Sequence, residues 1–215
     1  MTIPTLTQNY KKKVVETKLL KFYSTMNQAI KLSEIDNGKL TTWDPFTYNE
    51  GYDSDEKYYI ETTNALEWWN KYFANYVKTA KVVKPEKDRE GNLFVYFSDG
   101  SMVSFGFGSW LYYPNANDYS EQVVTDDYTK RDTSVCGTKY FTFYFNPHRA
   151  GWKDIEYHLG KGLEPYAIDW DGTEEMLKEH SSVGCNVDAK NEPAYCAKLI
   201  QLNGWKIPDD YPFKF

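Results

Sequence analysis

The sequence predicts an α+β domain in which a long N-terminal helix packs across an antiparallel sheet. Three observations carry that reading. An apolar stripe at helical spacing runs through residues 3–30, a two-strand signal surrounds Asp99-Gly100, and apolar residues alternate just before Pro147.

The helix comes first. Ile3, Leu6, Tyr10 and Val14 step by three or four, and Val15, Leu19, Phe22, Met26 and Ile30 continue at the same spacing. Pro4 is tolerated near a helix start, and Asn37-Gly38 supplies the stop. Residues 3–36 would span about 50 Å at 1.5 Å per residue, beyond an ordinary globular helix. No heptad is sustained, so the helix is expected to leave its domain at its N-terminal end. Residues 38–60, rich in Gly, Pro, Asn and Asp, read as a loop. A second helix is expected over residues 63–78, with Leu66, Trp69, Phe73 and Tyr76 on its apolar face and Pro85 closing the segment after it.

Residues 93–98 and 101–105 are apolar, β-prone runs joined by Asp99-Gly100, the signature of a type I′ hairpin. Leu93, Val95 and Phe97 share one face, and that more aliphatic face is expected against the long helix. Further strands are expected at 111–113 and 139–146, the latter stopped by Pro147. Short helices follow at 173–179, with Asp171 and Glu174 as a capping pair, and at 193–202, ended by Asn203-Gly204. There is no internal repeat and no separating linker, so residues 1–215 read as one domain: a helix over 1–36 and a globular head over 37–215.

Composition excludes several function classes. Lys plus Arg number 25 against 31 Asp plus Glu, a net charge of −6, which is the wrong sign for a general nucleic-acid binder. The 41% hydrophobic content, 26% charged content and mean hydropathy of −0.69 describe a chain that can fold around a core, and no apolar run reaches membrane-helix length. The charge is uneven. Residues 1–40 hold seven lysines against Glu16, Glu34 and Asp36, a local +4 that leaves −10 on the remainder. Aromatic residues reach 18%, with 19 Tyr, and most of those tyrosines are expected on or near the surface.

No motif in the chain carries recognisable catalysis. His148, His158 and His180 have no zinc-ligand spacing with the cysteines, and Cys136 beside a histidine matches no nucleophile signature. There is no phosphate loop, nucleophile elbow or dinucleotide fingerprint. Asp169-Trp170-Asp171-Gly172 fails as a calcium loop because its twelfth position would be Lys178. Asp53, Asp55 and Glu56, and Asp126 with Asp127, could offer calcium ligands from loops, although solvated loop acids are the commoner explanation. The expectation is a non-enzyme without a cofactor. Three cysteines allow three pairings, and the residues alone leave the choice open.

Residues 1–31, MTIPTLTQNYKKKVVETKLLKFYSTMNQAIK, resemble the region just after the membrane half of the long helix in bacterial prepilin-type proteins. These are the type IV pilin-like and type II secretion pseudopilin-like subunits. Asp99-Gly100-Ser101 resembles that family too, as do Tyr195-Cys196-Ala197-Lys198-Leu199-Ile200, Asn203-Gly204-Trp205-Lys206-Ile207 and Asp209-Asp210-Tyr211-Pro212. Residues 40–90 and 110–185 follow no pattern of the family, and the stretch from Asn146 departs from its Asn/Gly-rich turn, so no calcium loop is carried over.

The resemblance implies a pilin-like fold and a structural subunit of a type IV pilus or type II secretion pseudopilus. Such a subunit assembles through its N-terminal helix, here Ile3, Leu6, Tyr10 and Val14. It also implies a processing site and about twenty apolar residues upstream of Met1, so that Lys11, Lys12, Lys13, Lys18 and Lys21 would lie near anionic headgroups. Its partners would be other pilin or pseudopilin subunits and an inner-membrane assembly platform, at an extracytoplasmic location. In that oxidising setting Cys185 is expected to pair with Cys196, leaving Cys136 a buried thiol. The rival reading is a surface-exposed glycan- or ligand-binding module that uses aromatic platforms on the same fold.

Overall fold

A single 35-residue helix, α1 (Ile3–Asn37), runs the length of one side of the molecule. The computed structural model describes residues 3–52, 58–84, 93–106, 108–119, 132–147 and 153–215. α1 ends where Gly38 adopts φ +78° and its N–H returns to the Glu34 carbonyl at 3.1 Å, a conformation glycine takes without steric cost. After it come a 3₁₀ turn (Leu40–Thr42), β1 (Tyr48–Tyr52) and β2 (Tyr58–Thr62), α2 (Ala65–Tyr72), and β3 (Thr79–Val83). The chain continues through β4 (Leu93–Phe97), β5 (Met102–Gly106), β6 (Ser109–Tyr113), β7 (Phe141–Tyr144) and β8 (Glu164–Pro165), then α3 (Glu174–Glu179) and α4 (Cys196–Leu202). Strands β3 to β8 form one antiparallel sheet in chain order, and β1 pairs with β2 in a separate hairpin. The architecture is α+β.

The predicted stripe is the inner face of α1. Val15, Leu19, Phe22, Met26, Ala29 and Ile30 are buried in the main core. They meet one face of the sheet: Leu93 and Val95 from β4, Val103 and Phe105 from β5, Trp110 and Tyr112 from β6, Phe141 and Phe143 from β7. Phe22 lies at the centre, stacked on Tyr112 with centroids 4.1 Å apart and edge-on to Phe97 and Phe143 at 5.9 and 5.1 Å. The hairpin therefore presents its expected face to the helix. Its opposite face is not solvated. Phe94, Met102, Leu111, Tyr113 and Tyr140 form a second cluster there, closed by Tyr119 and Val135 from the connection to β7.

Several sequence expectations are corrected. Residues 38–60 are not a plain loop, because they contain β1 and the start of β2, joined as a backbone ladder from Tyr48↔Thr62 to Tyr52↔Tyr58. α2 is short and buries Ala65, Trp68, Trp69 and Tyr72, while Leu66 is exposed. The predicted face is rotated because Trp68, not Leu66, enters the core, where it contacts Trp43, Phe73 and Phe145. The residues after α2 turn through Val77 and become β3, an edge strand paired with β4. The cap of α3 is Thr173, whose Oγ1 accepts the Met176 N–H at 3.2 Å. Asp171 instead accepts from the Thr173 N–H and hydroxyl, at 2.8 and 2.6 Å, and so orients the cap.

Aromatic mass is spent on the interior. Trp43, Trp68, Trp69 and Trp110 are buried and Trp170 and Trp205 half-buried. Among the described tyrosines only Tyr10, Tyr48 and Tyr52 are exposed.

Phe22→Ala removes the ring on which the helix–sheet contact centres. It is expected to cost about 3–5 kcal/mol, the range for a buried Phe truncation, whereas Leu6→Ala on the exposed part of α1 should stay within about 0.5 kcal/mol. Urea unfolding of both variants checks this.

Candidate functional site

The helix residues and lysines singled out from the sequence lie on α1, and the structure separates the side chains of that helix into three groups. The first is the inner stripe described above. The second is a set of polar side chains on the flanks of that stripe, each fastening another segment to the helix. The third is exposed.

Lys18 and Lys21 belong to the second group. Lys18 Nζ donates to the carbonyls of Asp99 and Pro114 at 3.0 and 2.6 Å, and its own carbonyl accepts the Tyr112 hydroxyl at 3.2 Å. Lys21 Nζ pairs with Asp99 Oδ2 at 2.8 Å. The Asp99-Gly100 tip thus rests on α1 through two of the five lysines that the resemblance would place beside headgroups. Burial alone would raise the Asp99 pKa, but hydrogen bonds from Lys21 and Ser101 outweigh it and hold the carboxyl at about 2.

Three further locks work in the same way. Buried Glu16 accepts the Ile207 N–H at 3.0 Å and the Lys206 ammonium at 3.2 Å, tying the C-terminal segment to α1. Asn27 Nδ2 donates to the Leu163 carbonyl at 2.8 Å. Tyr23 donates to Glu164 Oε1 at 2.9 Å, and burial followed by the Glu164 charge pushes this phenol up to about 12. Glu164 also accepts from Gln201 at 3.2 Å, and Gln201 and the Tyr157 hydroxyl each accept from Lys198 at 2.6 Å. Burial lowers Lys198 to about 8, against the opposing pull of Glu164. His158 is buried between the Tyr144 and Tyr157 rings, and its Nε2 accepts the Ala167 N–H at 3.1 Å. Burial, then Lys161 and Lys198, hold it neutral with a pKa of about 3. Tyr23, Glu164, Gln201, Lys198 and Tyr157 are joined by hydrogen bonds, and His158 packs beside Tyr157.

The third group faces solvent. Leu6, Tyr10, Leu20, Leu32 and Ile35 are 54%, 70%, 44%, 43% and 79% exposed. At about 100° per residue they span an arc of about 120° on the side of α1 opposite the buried stripe. Over residues 6–13 the helix has no buried residue, so its first turns project from the head. Val14 is half-buried where contact with the head begins, Lys11 and Lys13 are exposed, and Lys12 is half-buried. The side chain of Ile3 lies outside the described residues, although its backbone is helical. Sequence reading along one stripe missed Leu20, Leu32 and Ile35, and a helical projection of the whole of α1 would have found them.

Cys185 and Cys196 form a disulfide that ties α4 to the segment after α3, and Cys136 is a buried thiol. Among the described residues no group of three His, Cys, Asp or Glu side chains could hold a metal ion, and no helix is long and apolar enough to cross a membrane. The acidic residues weighed for calcium (Asp53, Asp55, Glu56, Asp126, Asp127), and His148, lie outside the described residues. One open depression near the C-terminus is lined by residues such as Glu174, Lys178, Lys206 and Asp210, and no aromatic side chain lines it.

The chain belongs to a family of unknown function, DUF6613, whose model matches residues 5–215. No curated protein and no solved structure matches it.

Asp99 titrates lower in the folded chain than unfolded. Its stabilising contribution is therefore full above the ordinary value of 3.8 and is lost as pH falls from there toward about 2. Urea midpoints measured across that window should drop more steeply for the wild type than for Asp99→Asn.

Proposed function

We propose that this member of DUF6613 is a non-enzymatic structural subunit that assembles with copies of itself or with related subunits through α1. The resemblance of its helix to prepilin-type proteins makes the assembly a type IV pilus or a type II secretion pseudopilus. On this reading the domain is pilin-like and extracytoplasmic, and an anchoring helix in the full-length protein sets it on the assembly platform. Lys11, Lys12 and Lys13 are then the lysines left to face anionic headgroups.

The observation that carries the reading is that Leu6, Tyr10, Leu20, Leu32 and Ile35 lie exposed on the outer side of α1, among Lys13, Thr17, Lys21, Ser24, Gln28 and Lys31. Isolated exposed apolar residues are ordinary on a protein surface, but a row of them along a helix marks an interaction surface. Association costs several kcal/mol in lost freedom, about 4–15 by various estimates, and a few leucine-sized contacts between two copies do not cover that. A helix with such contacts along its length suits an assembly in which each subunit meets several neighbours. The disulfide is consistent with an oxidising compartment.

The glycan-binding alternative rests on surplus aromatic side chains, and among the described ones more are buried than exposed.

The combined substitutions Leu6→Asn, Tyr10→Asn and Ile35→Asn are expected to abolish concentration-dependent self-association in sedimentation and cross-linking. They should leave the unfolding midpoint nearly unchanged, since surface changes typically fall within about 0.5 kcal/mol each. A wild-type chain that stays monomeric at the highest attainable concentration, or association indifferent to the triple change, would count against the proposal.

A further inference from the structure

A buried lysine lies against a side-chain amide. Lys198 and Gln201 are three residues apart on α4 and so share one side of it. Lys198 Nζ donates to Gln201 Oε1 and to the Tyr157 hydroxyl oxygen, both at 2.6 Å. It stands 4.6 and 4.7 Å from the centres of the Tyr157 and Trp170 rings, and only 7% of the residue is exposed. Gln201 Nε2 in turn donates to Glu164 Oε2 at 3.2 Å, and the Tyr157 hydroxyl donates to the same oxygen at 3.4 Å. This sets the orientation of the amide, because an ammonium group can only donate and a carboxylate can only accept. Amine, phenol, carboxylate and carboxamide thus close a ring of hydrogen bonds.

The surroundings favour a neutral amine. Burial, helped by the nearby charge of Lys161, outweighs the pull of Glu164 on Lys198. The other titratable groups that face this ring of contacts are the Tyr23 phenol from α1, hydrogen-bonded to Glu164, and His158, which is held neutral. A neutral lysine amine is a nucleophile and a charged one is not.

We propose that Lys198 and Gln201 join in an isopeptide bond, with Tyr157 and Glu164 as the path for the proton. The carboxamide turns its face to the amine, and Nζ attacks Gln201 Cδ, the atom bonded to the Oε1 that it already contacts. The Nζ–Cδ bond forms and the Cδ–Nε2 bond breaks. Nζ passes a proton to the Tyr157 oxygen, the phenol passes its own to Glu164 Oε2, and Glu164 delivers it to Nε2, which leaves as ammonia. A primary amide and an amine become a secondary amide and ammonia. Tyr157 and Glu164 end as they began, and no oxidant or reductant is consumed. The product retains one N–H for the Tyr157 oxygen and removes a charge that was costly to bury. It also closes one turn of α4, the helix whose first residue the disulfide already holds.

The test follows the intact mass of the full chain at neutral and mildly alkaline pH. The expected result is a species short by one ammonia, either complete on isolation or growing with time. Its rate should rise about tenfold per pH unit while the amine is charged and level off above its pKa of about 8. In a tryptic map the bond blocks cleavage after Lys198, and the peptide gives no fragments from breaks between residues 198 and 201. That pattern separates it from a succinimide at Asn203-Gly204, which loses the same mass. Gln201→Ala should keep its full mass, and Tyr157→Phe should form the bond roughly a hundredfold more slowly, the usual loss when a proton-transfer group is removed. A wild-type chain that keeps its full mass through prolonged alkaline incubation would overturn the proposal. So would a loss of ammonia that persists in Gln201→Ala or that Tyr157→Phe does not slow.

Discussion

The contact between the inner stripe of α1 and one face of the sheet is the constraint on which the remainder of the molecule depends. Leu19, Phe22, Met26 and Ile30 are all but fully buried, and each such side chain contributes roughly 1.5–3 kcal/mol when removed from water. That contact also sets a register. With Phe22 stacked on Tyr112, Lys18 one turn earlier and Lys21 beside it fall against the Asp99-Gly100 tip, and Tyr23 and Asn27 fall beside Glu164 and Leu163. Slide the helix by a turn and every one of these bonds is lost together. The apolar stripe supplies the energy and the polar flanks supply the position.

The flanks have a common design. Lys18, Asn27 and Glu16 each meet a backbone group of a distant segment, namely the hairpin tip, the approach to β8 and the C-terminal strap. A side chain that satisfies a backbone group fixes a loop without requiring a particular partner side chain, and buried backbone groups must find such partners. The exposed ion pairs are a weaker kind of contact. Lys71 with Asp44 and Lys178 with Asp210 sit in solvent, where pairs of this kind contribute little. The head is thus held to α1 mainly by packing and by charge-assisted bonds to main-chain groups.

Much of this was legible in the sequence where the signal is local. The spacing Val15, Leu19, Phe22, Met26, Ile30 is the period of a helix, and Asp99-Gly100 between apolar runs is the chemistry of a tight turn, so α1, β4 and β5 lie where those patterns place them. Elements whose identity depends on distant partners were not. β1 passes through Asn49, Glu50 and Gly51, poor strand formers, and owes its extended form to the ladder with β2. β3 follows a helix without a break signal and is a strand because β4 offers it an edge. The orientation of α2 turned on which of several neighbouring apolar residues entered the core, and only the sheet with Trp43 and Phe145 decides for Trp68 over Leu66. The tyrosines expected on or near the surface divide: among the described ones three are exposed and six half-buried, while seven are buried, several of them where the helix meets the sheet.

The outer arc of α1 was equally present in the sequence, and it was hidden by the inner one. A helix with apolar residues on two opposite faces has little overall amphipathicity, so a search for one stripe finds the stripe the head covers. The structure separates the two, since the head encloses only one side and stops at Val15. The inner arc explains why the head folds on this helix. The outer apolar residues reach past the head onto turns where no described residue is buried, and they are not part of the core that holds the head. These side chains remain 43–79% exposed in the fold, so they contribute less to it than the inner stripe does. If α1 assembles as proposed, stability within the chain and contact between copies fall on opposite sides of one helix, so that either can be altered without disturbing the other.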